Sequence, residues 1–579
     1  MHPRTAAHVL SQIAAYLELH GENPFKVKAY ETAAKGLLSL SDEDLTDAFR
    51  SGEIGKIRGL GPATLAVVKD LVETGESRYL EQLRETTPDG LLEMLRIPGL
   101  GAAKIHQLHT GLGIETVEEL ERAALDGRLT TLPKWGTKTS EKILKGIAFL
   151  RESGKLVLYI HGAVEARRLL GMVRQHPEVQ YAEIAGSLRR RREVVQDVDI
   201  VASCTGGSSP LEVAESFARV GGVREARQKG TGSVRLVFVD GTHLDLYCVT
   251  PEHFAVALWR ATGSEEHETL VRDRLSQRGL TMDGDDVRDA GGAAIPIASE
   301  AALYEQAGLA FVEPEMREAR GEVEAAARGE MPRLVELEHL RGVLHCHTHY
   351  SDGKASIGEM TRAAQERGWS YIGITDHSEA AFYAGGLSKP KILAQHEEID
   401  ALNETLEGIR VLKGIEADIL ADGRLDYGPE ILSTFDFVIG SVHSRFGMDR
   451  AAMTTRILAA LDDPHLTILA HPTGRLLLNR EPYPFDLDAV IEKAAAVGAA
   501  VELNADPHRL DLDWRHLRAV KMAGAKIEIG PDAHSPRALD VVEIGVGIAR
   551  KAWLEPGDIL NAGTADDVLA FARRRRERT

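Results

Sequence analysis

From residue 341 onward, seven short apolar runs each carry, at or near their end, a side chain able to bind a cation. They are 342-GVLHCHTHYSD-352, 371-YIGITDH-377, 411-VLKGIEAD-418, 435-FDFVIGSVH-443, 466-LTILAHP-472, 499-AAVELNAD-506 and 525-AKIEIGPDAH-534. Amphipathic stretches such as 356-SIGEMTRAAQERG-368 separate them. Apolar strands alternating with helices predict parallel β/α units. Polar residues recurring at strand C-termini predict a barrel with its site on that face. One such run has little meaning, but seven in succession constrain the fold strongly.

The strand ends also say what the site binds. His345 and His347 share one face of an extended strand, and Cys346 points the other way. His377, Glu416, His443, His471, Asp532 and His534 arrive at the same rim. Neutral imidazoles mixed with carboxylates suit Zn²⁺, Mn²⁺ or Fe²⁺. So many ligands exceed the needs of one ion and predict two or three. Such a cluster activates water and grips phosphate, which is the chemistry of phosphoester hydrolysis.

A second constellation lies upstream. In 194-VVQDVDIVAS-203, Asp197 and Asp199 fall on one strand face, and the stretch VRLVFVDGTHLDLYCV predicts two strands joined at Asp240-Gly241. If these pair, Asp245 joins the two aspartates. Carboxylates so placed repel unless cations hold them, which predicts a two-Mg²⁺ or Mn²⁺ site. Gly186 and Ser187 open a helix after a strand, a geometry that cradles phosphate, and Arg189 to Arg192 add charge. Residues 1–150 read as entirely helical, with Gly turns at 57-IRGLGPATLAVV-68 and 97-IPGLGAAKIHQL-108 and a weaker one at 132-LPKWGTKTSEKI-143. At Gly59, Gly61, Gly99 and Gly101 the exposed amides can hold DNA phosphates without reading bases.

These motifs carry two resemblances. GSLRR, DVD, HLDLY and TGS (262–264) resemble, in order and spacing, the palm of family X DNA polymerases, and the Gly turns resemble helix-hairpin-helix motifs. The resemblance implies that Asp197 and Asp199 hold both metals and that Asp245 completes the catalytic one. It further implies that Ser187 and Arg190 hold the triphosphate of a dNTP, with Gly263 and Ser264 near sugar and base. Arg260-Ala261 and Glu268 depart from the family pattern, and Val67 stands where lyase-type members carry Lys, so weak or absent lyase activity is expected. The C-terminal runs resemble the PHP (polymerase and histidinol phosphatase) domain. Carried over residue by residue, nine ligands are complete: His345, His347, Asp352, His377, Glu416, His443, His471, Asp532 and His534. Asn504 and Arg509 stand where they can touch a substrate phosphate.

The expected architecture is multidomain: a helical N-terminal domain over 1–85, helix-hairpin-helix fingers over 86–150 and an α+β nucleotidyltransferase palm over 151–240. The end of the palm and a thumb follow over 241–310, then a charged linker with helical pieces over 311–340 and a distorted (β/α)7 PHP barrel over 341–579. The 579 residues exceed one compact domain. No apolar run reaches the ~18 residues of a membrane span. The N-terminus lacks a signal-peptide core, and Cys204, Cys248 and Cys346 make no disulfide framework, so a cytoplasmic monomer is expected. The net charge of −19 argues mildly against nucleic acid, but metal sites account for part of it. The expected partners are gapped or primed DNA and dNTPs, and the expected function is gap filling in DNA repair with a second, 3′-end-degrading site. Two rivals are a small-molecule phosphatase with an inert palm and a DNA-binding scaffold with structural metals. The arginine-rich tail from Arg573 reads as a solvated end.

Overall fold

The computed structural model describes residues 3–38, 45, 54, 59–74, 77–85, 87–95, 97, 100–133, 135–153, 156–205, 207–238 and 241–577. Gly99 and Asp240 lie outside them. The chain forms two units, Met1–Lys155 and Leu156–Thr579.

The first unit is helical among its described residues. Helices Pro3–Leu19, Pro24–Leu38 and Pro62–Thr74 enclose a core that includes Leu10, Ile13, Ala33 and Val68. A second core gathers Ile97, Ile105, Leu120 and Ile147. Gly59 has φ +95°, and a β-carbon there would lie 2.8 Å from Thr32 Cγ2, so the turn before Pro62 requires glycine. Gly61 and Gly101 precede the next helices with open space where a side chain would stand. Val67 is buried at 4% exposure while Lys69 is exposed, so the two side chains point to different faces.

The second unit begins with a five-stranded sheet: β1 (Val179–Ile184), β2 (Val198–Cys204), β3 (Val223–Gly230), β4 (Ser233–Phe238) and β5 (His243–Val249). Their order is β1-β2-β5-β4-β3. β2 and β5 run parallel with Asp199 beside Asp245, and β4 pairs antiparallel with β5, as the alternation in VRLVFVDGTHLDLYCV predicts.

The barrel has seven parallel strands in sequence order: β6 (Gly342–Val343), β7 (Tyr371–Ile374), β8 (Arg410–Asp418), β9 (Phe437–Ser441), β10 (Leu466–Leu469), β11 (Ala500–Asn504) and β12 (Ile527–Gly530). The parallel bridge Cys346–Ala533 brings its two edges together. Phe437 fills the interior. A β-carbon on Gly373 or on Gly414 would meet its Cζ at 2.6 Å, so two strands give up side chains to admit one ring. Leu344, Tyr371, Leu412 and Ile468 complete this layer, against Val568 and Ala572 of the final helix.

Residues 311–340 carry the helical pieces expected of the linker, Pro314–Met316, Glu322–Arg328 and Leu337–His339, and they are packed rather than solvated. Val312, Met316 and Val323 are buried in a core with Trp259, Leu303 and the barrel's Trp553. The sparse apolar residues suffice because most of them, Val312, Met316, Val323, Leu334, Val335 and Leu340, are buried while Phe311 and Leu337 stay exposed, and charged side chains make the remaining contacts. The tail is not fully solvated either: Arg575 is 3% exposed and donates to the Leu461 and Asp463 carbonyls, and Arg576 donates to that of Phe435. Phe437→Ala would leave a cavity that Gly373 and Gly414 cannot fill. It should cost ~3–5 kcal/mol and lower the melting temperature of the Leu156–Thr579 unit by several degrees in calorimetry. An unchanged transition would contradict this packing.

Candidate active sites

The palm site is built where β2 and β5 lie side by side. Arg235, opposite Asp245 on β4, reaches across: its Nη2 donates to Asp197 Oδ2 at 2.9 Å and to Asp245 Oδ2 at 2.5 Å, and its Nε to Asp245 Oδ1 at 2.6 Å. Lys229 Nζ donates to Asp245 Oδ2 at 2.5 Å. Burial and the charges of Asp197 and Asp245 push the Asp199 carboxyl up to about 7. Burial and Asp245 raise Asp197 as well. Burial works to raise Asp245 too, but Arg235 and Lys229 outweigh it and hold Asp245 below the usual carboxylate range. The structure thus brings the three aspartates together, with two cations that sequence reasoning missed. The signal was the Arg–Asp pairing across β4 and β5, visible only once the register is known.

Gly186 has φ +62°, and a β-carbon there would come within 1.9 Å of Asp199 Oδ2. Glycine therefore lets the turn into the helix Gly186–Arg189 lie against the carboxylates. Ser187 Oγ is buried and has no hydrogen-bond partner within the protein. Arg190 is engaged: its Nη1 donates to the Thr262 carbonyl at 2.6 Å and its Nε to Glu318 Oε1 at 2.9 Å. Arg189 binds Glu300, and Arg192 binds Glu318, so these arginines are structural partners as well as a charge reserve. Gly263 has extended backbone, and Ser264 caps the helix Glu265–Gln277 by accepting from the His267 amide. Arg260 pairs with Asp285 and Glu268 with Arg272.

At the barrel rim all nine expected ligands converge. Three overlapping groups have ligand atoms within 4.8 Å of one another: His347, Asp352, His377 and His534; His345, His347 and Asp532; and His377, Glu416 and His443. His471 Nε2 lies 3.0 Å from Glu416 Oε1, which joins it to the last group. Four features fit metal. His345 Nε2 and both ring nitrogens of His347 are buried without hydrogen-bond partners. The far nitrogens are pinned: His345 Nδ1 to Glu502 at 2.5 Å, His443 Nδ1 to Asp418 at 2.8 Å, and His534 Nδ1 to the Asp532 carbonyl at 2.9 Å. This turns each Nε2 toward the cluster. Burial and the facing His377 push His347 down to about 3, so it is neutral and offers one ring nitrogen's lone pair. Finally, His471 and Asp532 hold φ of +26° and +49°, a strain of about 1–3 kcal/mol each that persists where surroundings dictate it.

Burial opposes the protonation of His377 and His443, but Glu416 and its neighbours carry them up to about 10 and about 9. A metal ion must displace those protons. Asn504 Nδ2 donates to Asp532 Oδ2 at 3.1 Å, and Arg509 Nε lies 3.7 Å from the same oxygen, so both stand at the rim. Glu502 was missed by sequence reasoning. It is fully buried, binds His345, and accepts from the His471 amide at 2.6 Å. Its signal was an acid in the middle of the apolar part of AAVELNAD, ahead of the polar end. Glu502→Gln should weaken barrel metal retention about 10–100-fold, measured as metal content after dialysis against a chelator series. Wild-type retention would show that Glu502 does not orient these ligands.

Comparison with known proteins agrees with this geometry. Residues 1–77 match a helix-hairpin-helix domain, 91–148 a SAM-like helix-hairpin-helix tandem, 257–318 the DNA polymerase beta thumb, and 344–495 the PHP domain. The DNA polymerase/3′-5′ exonuclease PolX of Bacillus subtilis is 36% identical over 577 residues, covering 99% of this chain and 100% of that protein. A probable phosphatase of Syntrophotalea carbinolica is 30% identical over 247 residues, 39% of this chain and 94% of that one. A probable phosphatase of Caldanaerobacter subterraneus is 29% identical over 214 residues, 34% of this chain and 77% of that one. The palm carboxylates, the helical Gly turns and the histidine-rich barrel thus occur together along one chain, and the protein belongs to the family X DNA polymerases that carry a C-terminal PHP domain.

Proposed function

We propose that this chain fills short gaps in DNA during repair and that its barrel is a separate 3′→5′ exonuclease or 3′-end-processing site. The observation that carries the reading is two gathered ligand sets in one chain, three aspartates in the palm and six histidines with three carboxylates at the barrel rim. The B. subtilis relative is named for both activities. In this reading Asp197, Asp199 and Asp245 hold Mg²⁺ or Mn²⁺, and the nine barrel ligands hold two or three Zn²⁺, Mn²⁺ or Fe ions. Such ions, when bound, neutralise phosphate charge and acidify an attacking hydroxyl or water.

The protein's own groups do the rest. Ser187, buried and unpartnered, donates to the incoming triphosphate, and Arg190 adds a charged contact when it leaves Glu318. Gly263 and Ser264 border the sugar and base. Arg509 and Asn504 meet the phosphate at the barrel rim and fix its orientation. Gly59 and Gly101 offer backbone amides to DNA phosphates irrespective of sequence, whereas the Gly61 amide already donates to Thr64 Oγ1 at 2.9 Å, and Gly99 lies outside the described residues. The partners are gapped or primed DNA and dNTPs, bound by a monomer. No described helix is long and apolar enough to cross a membrane. A small-molecule phosphatase reading leaves the palm carboxylates without a use, and the phosphatase relatives span only about a third of this chain.

Two outcomes test the proposal. On gapped DNA with dNTPs and Mn²⁺, Asp197→Ala should abolish extension and keep 3′ degradation, while His345→Ala should do the reverse. Loss of both activities in either variant would sink the two-site reading. The palm should also depend on pH with a defined sign. Asp199 is raised to about 7, so below that value metal must displace its proton. The apparent Mg²⁺ affinity for extension should fall about tenfold per pH unit below 7 and level off above it. A flat dependence between pH 6 and 8 would contradict the burial of Asp199 against its neighbours.

A further inference from the structure

The loop Arg190–Glu193 leaves the palm's phosphate turn and leads back to Asp197. Every one of its residues is gripped from the barrel, directly or through one side chain. Lys551 ends the barrel helix Val542–Lys551, and its side chain is fully buried. Its Nζ donates to the Arg190 carbonyl at 3.1 Å, to the Glu315 carbonyl at 3.3 Å and to Glu318 Oε1 at 2.5 Å. Glu318 in turn accepts from Arg190 Nε on the same oxygen and from Arg192 Nη1 at 3.1 Å on the other. Arg191 packs on Gly547, where a β-carbon would lie 3.1 Å from its Cγ. Glu193, 5% exposed, accepts from Trp514 Nε1 at 3.2 Å and Arg515 Nη1 at 2.7 Å.

One carboxylate is thus shared by three cations, two from the palm and one from the barrel. A buried carboxylate holds its partners strongly when they are few, because little water competes. With Lys551 present, Glu318 keeps a charged partner when Arg190 departs. Without it, Glu318 Oε1 has Arg190 as its one charged donor and only Arg192 remains on the other oxygen, so Arg190 must leave a carboxylate that depends on it more. The Arg190 backbone also loses a donor on its carbonyl. Burial pushes Lys551 down to about 8, against the pull of Glu318, so it remains largely charged at neutral pH. Burial works to raise Glu318, but Lys551 and Arg190 bring it down to about 2.

We infer that Lys551, a residue of the barrel, is a positioning residue of the polymerase site: acting through Glu318, it frees and aims Arg190 for the dNTP triphosphate. The barrel then completes the palm in addition to housing its own site. The inference rests on the reading of Arg190 as a triphosphate contact, and the test separates the two.

The full-length protein is assayed for the dNTP KM and for kcat of single-nucleotide gap filling, with 3′ degradation of single-stranded DNA and the melting temperature as controls. Lys551→Met keeps the stem and removes the charge. It should raise the dNTP KM roughly tenfold, the scale of one charge-assisted contact, with a smaller change in kcat and with 3′ degradation intact. Lys551→Arg, which restores a cation, should return KM most of the way to wild type. Arg190→Ala should raise KM by itself, and adding Lys551→Met to it should have little further effect. If Arg190→Ala leaves KM unchanged, the triphosphate reading of Arg190 fails and the inference falls with it. If Arg190→Ala raises KM but Lys551→Met does not, or if the two effects simply multiply, the inference alone is overturned. If Lys551→Met lowers the melting temperature and both activities together, and Lys551→Arg does not restore KM, Lys551 is only a packing residue.

Discussion

A carboxylate taken out of water must be met by positive charge, and in this protein that requirement organises both sites. Glu416 is the clearest case. It is 1% exposed at the barrel rim, and five histidines lie within 3.6 Å of its oxygens: His345, His347, His377, His443 and His471. Imidazoles that face one acid from five directions make a poor apolar core and a good ligand shell. The barrel supplies the geometry, because parallel strands deliver their ends to one rim, and Glu502 and Asp418 behind the ring fix which nitrogen each histidine presents.

The palm meets the same requirement differently. Two of its three aspartates, Asp197 and Asp245, are held by Arg235 and Lys229 from the neighbouring strands, and Asp199 is left beside them with its carboxyl raised. These cations sit on the carboxylates themselves, so a divalent ion entering the palm exchanges one charge partner for another. The third buried acid cluster, around Glu318, is neutralised entirely from within the chain, and this is why the segment between palm and barrel is packed. Each acid therefore records a different solution to one electrostatic cost.

Much of this was legible in the sequence for physical reasons. Strand alternation puts Asp197 and Asp199 on one face whatever the rest of the fold does, and seven apolar runs with polar ends specify a rim. Asp352 could be read only through the resemblance, since it follows a turn and not a strand. What stayed hidden depends on pairing between distant segments. Arg235 and Asp245 lie on the two arms of the expected hairpin, but that they stand directly opposite depends on a register that the turn alone does not fix. Lys551 and Glu318 are separated by far more, and Glu318 lay in a stretch whose charge suggested solvent. Charge density reads as exposure in a sequence, whereas here Glu318, Arg317 and Glu322 are buried because each has a partner.

If both sets of buried acids are held for metal, anomalous diffraction from crystals soaked in Mn²⁺ and a non-hydrolysable dNTP will locate the ions. Two peaks are expected among Asp197, Asp199 and Asp245, with Arg235 drawn off Asp197, and two or three within the nine barrel ligands. A palm in which Arg235 still bridges Asp197 and Asp245 with no peak beside them, or a barrel holding none, would contradict that role for the acids.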